Sequence, residues 1–117
     1  MIDNAYGLKT TVLIRNGLDH KKWLKVHCKS KDDNLGDKYL GPGKDYHFNF
    51  SDNFWGTTRF GCTLSKGPDY KISKTFDAYV QDGTKPHGGS YNYIAKDDGI
   101  YHNTLVKFKL QKLYDWQ

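Results

Sequence analysis

Polar and apolar residues alternate along most of this chain, the period-two signature of strands with one buried face. Thr10, Val12 and Ile14 share one side of an extended segment and Thr11, Leu13 and Arg15 the other, and Asn16-Gly17 then supplies a turn signal. Leu24, Val26 and Cys28 alternate with Trp23, Lys25 and His27 until Asp32, Asp33, Asn34 and Gly36 break the run as a polar turn. After Gly41-Pro42-Gly43, Tyr46, Phe48 and Phe50 point one way and His47, Asn49 and Ser51 the other. Thr58, Phe60, Cys62 and Leu64 repeat the pattern up to Gly67-Pro68-Asp69. Phe76-Ala78-Val80, Tyr91-Tyr93-Ala95, an Asp97-Asp98-Gly99 turn and Val106-Phe108-Leu110 complete it, with no helical stripe anywhere.

Turn signals spaced by roughly 8–15 residues with no helix between them predict an all-β fold, a two-sheet antiparallel β-sandwich or a barrel of about seven to eight strands. The 117 residues make one domain, 1–117, with its core over about 10–112. The longest polar connection, Gln81 to Ser90, gathers Asp82-Gly83, Pro86 and Gly88-Gly89 and is the leading candidate for a functional loop.

Composition sharpens this picture. All 13 acidic residues are Asp and there are 12 Gly, which favours tight turns over helices. Aromatics reach 15% of a chain that is only 37% apolar, so a few rings are expected to supply much of the core. The net charge of +5 lies entirely in residues 1–31, where seven Lys/Arg face Asp3 and Asp19. Such an excess suits an acidic partner, or else protects a lysine-rich sheet edge against aggregation. No stretch has the roughly 18 apolar residues of a membrane helix, so no membrane insertion is expected.

Cys28 and Cys62 lie on the apolar faces of their strands and would point into one core, either as a disulfide or as two buried thiols. The five histidines, His20, His27, His47, His87 and His102, show no metal-ligand spacing, and the Asp-rich turns lack the ligand pattern of a calcium loop. Neither a catalytic residue, a metal nor a cofactor is therefore expected. The alternative function is a basic β-barrel binding single-stranded nucleic acid or another polyanion, with Tyr91, Tyr93 and Tyr101 beside Lys96 as the stacking platform. Its basic excess lies far in sequence from those rings, so a nucleic-acid partner is not the expected one.

One long segment is more specific. Val26-His27-Cys28-Lys29-Ser30-Lys31-Asp32-Asp33-Asn34-Leu35-Gly36, followed by Leu40-Gly41-Pro42-Gly43, resembles the signature of the plant self-incompatibility S1 family, the S-protein homologues. Tyr46 to Phe50, Asn53-Phe54-Trp55-Gly56-Thr57-Thr58, Phe60, Cys62 and Asp98-Gly99-Ile100-Tyr101 keep the order and spacing of that family. The resemblance implies a β-sandwich, secretion after removal of a signal peptide, and a Cys28–Cys62 disulfide. It also implies a non-catalytic extracellular signalling ligand, expected to be a monomer, whose partner is a plasma-membrane receptor protein.

The chain departs from the family pattern at several positions. Gly88, Tyr91 and Tyr93 stand where many members have a second cysteine pair and a tryptophan. Lys66 replaces a frequent Trp, and Arg59 and Gly61 interrupt a usually apolar run. Recognition is expected in the loops, with Asp82, Lys85 and His87 in the first and Lys31, Asp32 and Asp33 in the second. Asn49-Phe50-Ser51 is the one glycosylation sequon. Asn49 faces outward from a predicted strand, a context that favours partial occupancy or none.

Overall fold

Alternation becomes architecture first in β1 (Lys9–Asn16), where Thr10, Val12, Ile14 and Asn16 are fully buried and Arg15 faces solvent. The computed structural model describes residues 9–52, 56–81, 89–104 and 109–116, the side chains of 103, 104 and 109 excepted. Eight further strands follow: β2 (Leu24–Lys29), β3 (Asn34–Leu40), β4 (Asp45–Ser51), β5 (Arg59–Lys66), β6 (Ile72–Val80), β7 (Gly89–Lys96), β8 (Gly99–Thr104) and β9 (Lys109–Tyr114). They form a five-stranded sheet, β4-β1-β7-β8-β9, and a four-stranded sheet, β3-β2-β5-β6, which pack face to face. Each sheet keeps two edges, so the fold is a sandwich and not a closed barrel.

The centre of the core is aliphatic. Val12, Ile14, Leu24, Val26, Leu64 and Ile100 are its largest fully buried apolar side chains, each contributing about 1.5–3 kcal/mol relative to exposure. The rings that were expected to dominate it lie around this centre. Phe48 and Phe50 of β4 meet Phe60 of β5 at 5.0 and 4.6 Å, and the cluster continues through Tyr79 to Tyr91. Phe76 lies 5.1 Å from both Tyr93 and Tyr114. Cys28 and Cys62 face each other directly in the β2–β5 ladder and form a disulfide with Cα atoms 4.0 Å apart. The bridge thus joins neighbouring strands of one sheet and is buried against the other.

Several expectations need correction. Asn34 to Leu40 is a strand, not the end of a polar turn. As an edge strand, β3 buries only Leu40, so its sequence never shows an apolar face. The β1–β7 pair is parallel, within sheets that are otherwise antiparallel. Val80 is exposed and Tyr79 buried, because a bulge opposite Phe60 and Gly61 inserts Ala78 and reverses the side-chain parity of β6. β1 and β2 are interior strands, so their lysines and arginine protect no edge and lie on the outer sheet faces. The last strand runs over Lys109–Tyr114, and Val106 and Phe108 lie outside the described residues.

Candidate functional site

The four-stranded sheet turns a polar face to solvent, and parity dictates which residues it carries. Odd-numbered residues of β2 point away from the core, and the ladders place their partners beside them. Asp37, His27, Thr63 and Thr75 form one row across the four strands, and Tyr39, Lys25, Ser65 and Ser73 the next. The result is an open groove of about 1130 Å³ that runs from the β2–β3 turn along this face.

Its central charges are paired with one another. The Arg59 guanidinium donates to both carboxylate oxygens of Asp77 at 3.1 and 2.9 Å, an arrangement that raises the arginine pKa further. The ring nitrogens of His27 sit 2.8 Å from Asp37 and 2.8 Å from Oδ1 of Asn34, which also accepts from the backbone N–H of Gly36. Lys25 reaches the other oxygen of Asp37 at 3.8 Å, and Thr63 and Thr75 share a hydroxyl hydrogen bond of 2.7 Å. His27 aside, four cations and four carboxylates line the groove. Such a surface offers hydrogen-bond donors and acceptors in balance. Among the described residues, no cluster of three or more His, Cys or Asp is arranged to hold a metal.

One end of the groove is the β2–β3 turn. The backbone N–H of Ser30 donates to Asp33 O at 2.7 Å, and the Asp33 N–H to Ser30 Oγ at 3.1 Å. With its backbone satisfied locally, the turn holds Lys31, Asp32 and Asp33 exposed. Asp82, Lys85 and His87 lie outside the described residues. Gln81, which precedes them, lies at the same end of the sandwich as the β2–β3 turn. Asn49 is exposed on the edge strand β4, where its Oδ1 accepts from Thr11 Oγ1 at 2.6 Å.

The stacking platform expected of a nucleic-acid module does not form. Tyr93 is buried and donates to Ala78 O, Tyr91 packs on Tyr79 inside the sandwich, and Tyr101 faces the other way, its hydroxyl donating to Asp98. Sequence reasoning missed Arg59 and Asp77 as a pair and Thr63 with Thr75, because only the strand register brings them together.

Residues 11–116 match the family model described as plant self-incompatibility protein S1. S-protein homolog 21 of Arabidopsis thaliana is 50% identical over 104 residues, covering 86% of this chain and 78% of that protein. S-protein homolog 17 of the same plant is 40% identical over 114 residues, covering 92% and 84%. A solved structure of a self-incompatibility protein homologue superposes with a TM-score of 0.75 at 27% identity, covering 94% of this chain and 96% of that one. It is described as representing a widespread family of small, highly stable, secreted proteins from plants.

Proposed function

The chain belongs to the plant self-incompatibility protein S1 family, small secreted plant proteins, and from that premise we propose that it is a non-catalytic extracellular ligand for a cell-surface receptor protein. The observation that carries this reading is the β2–β3 turn, whose internally bonded backbone presents Lys31, Asp32 and Asp33 to solvent. Charges held on a rigid turn tune association rate and partner choice at little cost to stability. Asp82, Lys85 and His87 are assigned to the same proposed surface, since Gln81, the residue before them, follows β6 at the end where β2 leads into its turn. The polyanion reading gains no support from a face whose cations are matched by carboxylates.

The test is cross-linking of the folded protein to plant plasma membranes, followed by binding kinetics with the receptor so captured. K31A/D32A/D33A and D82A/K85A/H87A are each expected to slow association while changing stability by no more than about 0.5 kcal/mol. Association that survives both sets and fails instead in K21A/K22A/K25A would assign recognition to the basic first section.

A further inference from the structure

The opposite end of the same sheet face carries an aromatic strip that the receptor reading does not use. Trp23 is 51% and Tyr39 52% exposed. Trp23 lies two residues before Lys25, which faces Tyr39 in the β2–β3 ladder, so the two rings are diagonal neighbours on one face. Tyr39 in turn meets Tyr70, from the β5–β6 turn, edge to face at 5.6 Å, so this pair spans β2. The indole lies over Gly41, where a side chain would put a Cβ 3.4 Å from Cζ2. The indole thus covers the residue that follows β3 while about half of its surface stays open to solvent.

The backbone on both sides of the strip is held in a sparsely populated conformation. Among the described residues the non-glycine positions with positive φ are His20 (60°), Lys21 (56°), Asp69 (56°) and Tyr70 (57°). All four lie in the two turns that deliver Trp23 and Tyr70. Left-handed backbone is unusual for bulky side chains and concentrates where a surface must hold a fixed shape for a ligand.

Next to the strip, Lys25 leads into the groove, with its hydroxyl groups and balanced charges. Stacking rings beside a charge-neutral field of donors and acceptors match a polyol better than a polyanion. An anionic membrane surface is matched less well, since the adjoining groove carries no excess of cations for its headgroups. We propose that this face binds a neutral oligosaccharide of all-equatorial pyranoses, such as a β-linked glucan. The C–H faces of its sugars stack on Trp23, Tyr39 and Tyr70, and Arg59, Asp77, Thr63 and Thr75 bond its hydroxyls. This site is separate from the turn assigned to the receptor and does not depend on that assignment.

The test titrates the full chain with a β-1,4-linked glucose hexasaccharide, a galacturonate oligomer and a single-stranded oligonucleotide of similar length. Calorimetry and the indole N–H resonance of Trp23 are followed, the resonance being assigned with W23F. The glucan is expected to shift that resonance and to bind with little dependence on salt. W23A and Y39A are each expected to weaken it about tenfold, as loss of one stacked ring implies, with melting temperatures preserved. R15A, on the outer face of the five-stranded sheet, should bind it as the parent does. Failure of the glucan to bind overturns the proposal, as does preference for either anionic probe or glucan affinity unchanged in both ring variants. None of these outcomes bears on receptor binding at the β2–β3 turn.

Discussion

At one end of the sandwich the chain crosses between sheets through residues 17–23 and 41–44, and the fully buried Asn16 joins the two crossovers. Its Nδ2 donates to the carbonyls of Lys22, Leu40 and Gly41, its Oδ1 accepts from Leu18 N–H, and its backbone bonds Gly43 and Lys44. At the other end the chain passes from β4 to β5 and from β6 to β7, and Asp52, Thr58 and Gln81 are the described residues beside those strand ends. There Gln81 and Thr58 exchange a reciprocal pair of bonds, and Tyr79 donates to the buried Asp52. The aromatic cluster of Phe48, Phe50 and Phe60 and the disulfide, at the penultimate residue of β2, lie toward this second end. The first end is closed by the connections themselves, drawn around one amide. The second is closed by bonds between residues at the strand termini.

Breaking the bridge should separate the two ends most sharply. C28A/C62A removes a cross-link over a sequence separation of 34 and should cost about 3–4 kcal/mol on the chain-entropy account, read as a fall in the urea midpoint. Native-state hydrogen exchange should then accelerate first at Cys28 to Ser30 and Phe60 to Cys62. Amides bonded around Asn16 should stay protected to higher denaturant. Equal acceleration at both ends would show that the sandwich opens as one unit, and the contrast would lose its energetic meaning.

Next in size are the two amides. N16A removes the side-chain donor to the carbonyls of Lys22 and Leu40 and the acceptor of Leu18 N–H, while Gly41 O keeps its bond from Lys44 N–H, and should cost about 2–3 kcal/mol. Q81A breaks one side-chain bond to Thr58 N–H while the backbone bond between the same residues survives, and should cost about 1 kcal/mol. Chemical denaturation of both variants decides the order. A larger loss from Q81A would make the second end the one held by its amide.

What the sequence made legible follows the same physics. β1, β2 and β5 each bury one face completely, so Val12, Ile14, Leu24, Val26, Cys62 and Leu64 could be placed in the core from alternation alone, and the cysteines with them. β3 could not, since an edge strand with a single buried side chain has no parity to read. The reversal at Tyr79 and Val80 comes from a bulge, which depends on the partner strand. Asn16 looked like half of a turn dipeptide; its burial depends on the crossover that follows it meeting a second one at residues 41–44. In the candidate site, Lys31, Asp32 and Asp33 were visible as a turn. Arg59 with Asp77 and Tyr39 with Tyr70 became neighbours only through register and a folded-back turn.

The smallest effect is expected at Lys66, which closes the Asn16 end on the side facing the C-terminal segment. Its parity is that of Leu64, so the side chain points between the sheets. There its ammonium donates to Asp97 O at 2.8 Å and lies 4.8 Å from the centre of the Trp116 ring, whose Nε1 donates to Lys96 O. Burial lowers the Lys66 pKa, against the opposing pull of Asp97, and nearby Lys22 lowers it further. A lowered amine pKa means that the folded chain binds fewer protons than the unfolded one between the folded value and the ordinary 10.5. The contribution of Lys66 to stability therefore rises with pH across that window, and at neutral pH the buried charge opposes folding. K66M keeps the stem but removes the charge along with its bond to Asp97 and its contact with Trp116. These losses and gains should nearly cancel, leaving neutral-pH stability within about 1 kcal/mol of the parent. The sharper readout is the difference in urea midpoint between parent and K66M, in which titrations common to both cancel. It should move in favour of the parent as pH is raised from 7 toward 10.5. A difference that stays flat, or moves in favour of K66M, would mean that Trp116 and Asp97 outweigh burial and that this end welcomes the charge.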